Sequence, residues 1–213
     1  MSKSRKVQLE KKIMIFLSSG VFIFSGLYAS NVQAAPVFSS GSASDSTVAG
    51  VNNTASANSS SAFGYFNTAG GLASSAFGWS NTASAENASA FGYVNEASGL
   101  ASSAFGFSNT ASGDNANAFG YNNIASGSKS NVFGTGNTVS GSSSTAVGTA
   151  NEVAAENSTA IGNNNTISSG AENSAALGNN ISISLKDSVA LGNNSTATAI
   201  NSVTGNSSYT KWA

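Results

Sequence analysis

The stretch Gly64-Tyr65-Phe66-Asn67-Thr68-Ala69-Gly70-Gly71-Leu72-Ala73-Ser74-Ser75-Ala76-Phe77 decides the fold, because the residues after it restate it. Ala62-Phe63-Gly64 returns as Ala76-Phe77-Gly78, Ala90-Phe91-Gly92, Ala104-Phe105-Gly106 and Ala118-Phe119-Gly120, each 14 residues after the last. The series continues as Val132-Phe133-Gly134, Ala146-Val147-Gly148, Ala160-Ile161-Gly162, Ala176-Leu177-Gly178 and Ala190-Leu191-Gly192, with one 16-residue step from Ala160 to Ala176. Val48-Ala49-Gly50 is a weaker copy before the first. A fixed period of this length over so many copies is the signature of a solenoid. Disorder would impose no such spacing on a large apolar residue, and no helical period is present.

Within a copy, two segments look extended: Ser-Ser-Ala-Phe up to the Gly, and Asn-Thr-Ala-Ser. Asn recurs at 53, 67, 81, 95, 109, 123, 137, 151 and 165, with an apolar residue two positions later each time. Gly70-Gly71, Ser98-Gly99, Ser112-Gly113, Ser126-Gly127 and Ser140-Gly141 are read as the turns between segments. So short a unit cannot hold a hairpin with its own core. Stacked copies can, each strand pairing in parallel with its equivalent one coil on. The expected fold is all-β, a parallel β-roll of about eleven coils and roughly 50 Å long.

Strand alternation then divides the tripeptide. Ala62, Ala76, Ala90, Ala104 and Ala118 point into a thin coil, together with the amides of Asn67, Asn81 and Asn109, which can bond along the stack. Phe63, Phe77, Phe91, Phe105, Phe119, Phe133, Val147, Ile161, Leu177 and Leu191 point out. An apolar stripe along a rod is expected to be covered by rotational self-association, which makes these the candidate residues of an oligomer interface. A second aromatic column, Tyr65, Trp79, Tyr93, Phe107 and Tyr121, lies just past the Gly and changes to Thr135, Thr149, Asn163, Asn179 and Asn193. If the strand runs through the Gly, this column shares the side of the Phe column and thickens the oligomer core, the reading favoured here. If the strand ends at the Gly, the column is an exposed stacking surface for sugar or protein.

The start of the chain follows another logic. Lys3, Arg5, Lys6, Lys11 and Lys12 precede an apolar run from Ile13 to Leu27, and Val32-Gln33-Ala34 supplies small residues for cleavage after Ala34 or Ala35. Residues 1–34 are therefore read as a secretory signal peptide. The run is short and rich in Ser and Gly for a membrane span, so no membrane segment is expected in the mature chain. Residues 35–45 are expected to be a flexible lead-in, 46–205 the repeats, and 206–213 a tail with neither stalk nor anchor.

Composition narrows the function. Without its signal the chain keeps three basic and eight acidic side chains, a net charge of −5 that disfavours nucleic acid. There is no histidine and no cysteine, so Ser–His and Cys–His nucleophiles and the usual zinc sites are excluded, as are disulfides in an exported chain. No catalytic residue, cofactor or metal site is assigned. Glu86, Asp114, Glu156 and Glu172 share a turn column that keeps one edge of the rod soluble and is too sparse for a dedicated calcium site. A hydroxyl column at Thr54, Thr68, Thr82, Thr110, Thr138 and Thr166 is broken by Glu96, Ile124 and Glu152, which argues against an ice-ordering array. An acyltransferase β-helix would need hexapeptide turns and a His base.

Asn157-Ser158-Thr159-Ala160-Ile161-Gly162, Asn173-Ser174-Ala175-Ala176-Leu177-Gly178 and Asp187-Ser188-Val189-Ala190-Leu191-Gly192 resemble the Asn-Ser-Val-Ala-Ile-Gly head repeat of trimeric autotransporter adhesins, the YadA-like family. The resemblance covers roughly residues 46–205. It implies a left-handed parallel β-roll assembled as a homotrimer on the surface of a Gram-negative bacterium, binding host extracellular matrix proteins or a cell-surface receptor. Such adhesins carry a neck, a coiled-coil stalk and a membrane barrel segment, which these residues do not show; secretion without an anchor is the other localisation considered. A purely structural, self-assembling β-solenoid is the competing function.

Overall fold

A computed structural model describes residues 39–198, and the expected signal peptide, its cleavage site and the tail at 206–213 lie outside them. The described residues contain strands and turns and no helix. Each coil has a five-residue strand, such as Ser61–Tyr65, and a two-residue strand, such as Thr68–Ala69. The long strands stack into one sheet and the short strands into a second sheet of 11 strands. Pairing is parallel and joins equivalent residues: Ala62 meets Ala76, Phe63 meets Phe77, Gly64 meets Gly78. Eleven rungs at about 4.8 Å make a rod of roughly 50 Å.

The N-terminal end is closed by the chain itself. Ser39–Ser40 pairs antiparallel with Thr47 and Val48 at the edge of the long-strand sheet, and the Ser42 amide donates to the Ala55 carbonyl. Residues 39–45, expected as lead-in, are thus hydrogen-bonded into the first coil, where their backbone groups satisfy an edge that would otherwise template further pairing.

The corners differ from the sequence reading. The Ser-Gly pairs mark the right part of the coil, but Gly70, Gly71 and Gly99 do not supply the left-handed residues. Those fall every seven residues, at Phe66 (φ 57°), Ala73 (φ 53°), Ser80 (φ 56°), Asn87 (φ 56°) and Val94 (φ 54°) among others. A coil is therefore two half-turns of seven residues, each closed by one residue that stacking holds in αL. Phe66 and Val94 are costly choices there, by about 1 kcal/mol or more each. Their amides donate to the preceding coil, Phe66 to the Val51 carbonyl and Val94 to the Trp79 carbonyl, both at about 3 Å (3.0 and 2.9 Å).

The Gly of the tripeptide is required for another reason. Gly106 has φ +119°, and a Cβ there would stand 2.1 Å from the carbonyl oxygen of Gly120 in the next coil. Gly106→Ala is expected to lose about 3 kcal/mol or more, from an unfavourable φ together with a separated rung. Loss of the native denaturation midpoint in guanidinium, with a local gain of amide exchange around coils at 92–120, is the check.

The core is narrow. Ala62, Ala69, Ala76 and Ala83 are fully buried, and larger side chains enter only later, at Val132, Val139, Val153, Ile167 and Ile183. Beside them runs the Asn ladder. The backbone amide and Nδ2 of Asn109 both donate to Oδ1 of Asn95 at 3.0 Å. The same Nδ2 reaches the carbonyls of Phe105 at 2.9 Å and Gly120 at 2.8 Å. Each amide so ties three rungs together. The ladder ends at Asn165, whose Oδ1 accepts from the amide of Ile181 at 3.0 Å. Where it ends the Gly backbone changes, from φ +127° at Gly162 to +146° at Gly178 and +97° at Gly192.

The 16-residue coil keeps both registers, Ile161 with Leu177 and Ile167 with Ile183. Its two additional residues, Ser169 and Gly170, are exposed in the turn between the strands, so the insertion leaves both sheets in step.

The last buried column is Ser. Ser144, Ser158 and Ser174 form a second ladder in the C-terminal half, each hydroxyl accepting the amide of the next Ser at 3.0 or 3.1 Å. The Oγ atoms of Ser102 and Ser130 have no partner, and Ala116, the equivalent residue between them, needs none. Ser102→Ala and Ser130→Ala are each expected to leave stability unchanged or raise it by about 1 kcal/mol, since an unpaired buried hydroxyl carries only its desolvation cost. Thermal unfolding of the two variants tests this.

Candidate interaction surface

The long strands place their first, third and fifth residues on the outside and their second inside, as alternation requires. In Ser61–Tyr65, Ala62 is buried while Ser61 and Phe63 are half-buried and Tyr65 is exposed. The third position is the expected interface column. Its rings stack rung on rung: Phe63 on Phe77 at 4.7 Å and 8°, Phe91 on Phe105 at 4.8 Å and 2°, and Phe119 on Phe133 at 5.4 Å and 15°. It continues as Val147, Ile161, Leu177 and Leu191, which with Phe133 are between 36% and 58% exposed in a single chain. The stripe is thus a continuous apolar line along the outer face of the long-strand sheet. The candidate interior residues lie opposite it: Ala62, Ala76, Ala90, Ala104, Ala118, Asn67, Asn81 and Asn109 are all fully buried.

The fifth-position column is a second line beside the first. The strand does run through the Gly, from Ser75 to Trp79 and from Ser103 to Phe107. Tyr93 and Phe107 stack at 4.8 Å and 5°, and Phe107 and Tyr121 at 5.1 Å and 16°. Trp79 meets Tyr93 edge-on at 4.4 Å, and Tyr65 at 6.1 Å. Stacked rings spend their faces on one another and turn their edges outward, which leaves little face for a sugar to stack on. Tyr65, Trp79, Phe107 and Tyr121 are nonetheless exposed. In the C-terminal half the same column is an exposed amide ladder, Asn163 donating to Asn179 at 2.7 Å and Asn179 to Asn193 at 2.8 Å.

The other candidate groups stay apart. Asp114 Oδ1 accepts the amide of Leu100 at 3.0 Å, and among the described residues no three His, Cys, Asp or Glu side chains come together to hold a metal. Thr68 and its equivalents look outward from the short-strand sheet, interrupted by exposed Glu96, Ile124 and Glu152.

The described residues are thus a parallel β-roll of 14-residue coils, with one of 16, that holds a buried Asn ladder inside and an apolar stripe outside. The model of the YadA head domain repeat (2 copies) matches residues 42–67, 69–94, 97–123, 140–165 and 186–203. This chain belongs to the YadA head family. No curated protein matches it. The head is an adhesin-type surface module.

Sequence reasoning missed two features. The left-handed corners carry no constant residue: Asn or Asp stands at many of them, but Phe, Ala, Ser, Val, Lys or Gly at the others, so no single column announced them. The Ser column that ends in the ladder was hidden by Ala at 88 and 116.

Proposed function

We propose that the head is the recognition part of an exported bacterial surface adhesin and works as a homotrimer, with the Phe63-to-Leu191 column around the three-fold axis. One observation carries this reading: in a YadA head, an uninterrupted apolar stripe lies on the outer sheet face, half-buried from Phe77 to Phe119 and exposed from Phe133 to Leu191. Burying the exposed part of each side chain contributes on the order of 1 kcal/mol, which summed along the column suffices to offset association costs. The surface then left to solvent is polar and repetitive, suited to an extended host matrix protein or cell-surface receptor rather than to a small molecule.

Binding of the purified chain to surfaces coated with a panel of matrix proteins tests the adhesin reading, with a trimer-breaking variant as control. Saturable binding that falls with the trimer supports it. Equal, weak retention on every coating would favour a structural, self-assembling module without a receptor.

A further inference from the structure

Residues 42–46 keep the register of a regular coil. The Ser42 amide donates to the Ala55 carbonyl at 3.0 Å, as the Ser56 amide does to Ala69 and the Ser84 amide to Ala97. The Ser44 carbonyl accepts the Ser59 amide at 3.0 Å, and Asp45 takes the left-handed corner with φ 56°. In a regular coil Ser40 and Gly41, 14 residues before Thr54 and Ala55, would lie on the short-strand sheet. They leave it instead. The Gly41 amide turns aside to the Ser46 carbonyl at 2.9 Å, and Ser39–Ser40 pairs antiparallel with the long-strand sheet, Ser39 opposite Val48 and Ser40 opposite Thr47.

Gly41 makes this crossing possible. A Cβ there would collide with the carbonyl oxygen of Ala55 and the hydroxyl of Ser46. The strap that results adds no side chain to the core, since Ser39 and Ser40 are both exposed. What it does is occupy an edge. The Thr47 amide donates to the Ser60 carbonyl in the next coil at 2.9 Å, so Val48, by alternation, presents its amide to the outer side.

The sense of the strap shows which neighbour this edge fits. A preceding coil would pair in parallel, as the later coils do. An antiparallel neighbour is what a second roll supplies when two N-terminal ends meet about a two-fold axis. Its five-residue strand Thr47–Val51 then lies along the same edge, centred on Ala49, whose methyl group leaves room for its equivalent. The half-coil at 42–46, bonded to the short-strand side, leaves the long-strand edge clear.

We infer that the N-terminal end of the roll is a docking edge for the N-terminal end of a second copy of the chain, and that Ser39–Ser40 is the strap that holds it shut. The contact is strand pairing at the tip of the rod, apart from the Phe stripe, and it does not rest on the trimer reading.

Molar mass by light scattering tests this, taken as the ratio of variant to unmodified chain so that the native oligomeric state does not enter. In a chain lacking residues 36–40 the mass is expected to double and to grow no further, because a two-fold contact closes on itself. Val48→Pro in the shortened chain removes the edge amide and is expected to restore the original mass. An unchanged mass with the roll intact by circular dichroism would overturn the docking edge. Growth beyond two would overturn the two-fold fit, and doubling that survives Val48→Pro would overturn pairing through this strand. Should the shortened chain not fold, Gly41→Val displaces the strap in the full chain and is read in the same way.

Discussion

Phe105→Asp is expected to leave the head folded and monomeric. Phe105 lies in the middle of the stripe, stacked on Phe91 at 4.8 Å and on Phe119 at 5.0 Å, and its side chain points away from the coil core. The roll itself makes few demands at this position, which is Ala49, Val147, Ile161 or Leu177 in other coils. The assembly makes many. In the proposed trimer each copy would bring a carboxylate to the three-fold axis, where desolvation costs several kcal/mol per ion and the three charges repel. The loss of apolar burial from three copies adds to it. The trimer is therefore expected to lose well over ~5 kcal/mol, enough to dissociate it at micromolar concentration. Phe105→Leu, which imitates Leu177, is expected to remain trimeric. Size-exclusion chromatography with light scattering separates the two, and circular dichroism shows that the β-roll persists in both.

Asn109→Asp is expected to destabilise the coil itself. Asn109 is fully buried and its Nδ2 donates toward Asn95 Oδ1, the Phe105 carbonyl and the Gly120 carbonyl. An ionised Asp turns a second acceptor oxygen on these three acceptors. A buried charge without a cation costs about 3–5 kcal/mol, which in a solenoid falls on neighbouring rungs first. The pH dependence gives the mechanism away. Burial among acceptors raises the carboxyl pKa in the folded state above its unfolded value of about 3.9. The folded state of the variant then binds the proton more tightly. Its stability is greatest below the unfolded pKa and is lost as pH rises through the folded one. Urea midpoints of variant and parent are therefore expected to converge on acidification. A deficit that stayed constant with pH would mean that packing, not charge, is the cause.

How much of this was legible in the sequence depended on whether a feature repeats by residue type. The Ala-Phe-Gly column and the Asn ladder do, so their period announced the parallel roll, the thin core and the outward stripe. Strand alternation at Ala62 and Phe63 was enough to sort inside from outside. The corners were not legible, because stacking forces αL on whatever side chain is present: Phe66 and Val94 adopt it against their own preference. Nor was the closure of the first coil, since Ser39–Ser40 pairs antiparallel where every other strand pairing among the described residues is parallel.

The claim on which the rest depends is that the Phe stripe is covered by two further copies of the chain. The molar mass of the purified chain by multi-angle light scattering tests it most directly. Three times the monomer mass, unchanged on dilution through the micromolar range, is the expected result. A stable, soluble monomer with the roll intact would contradict it.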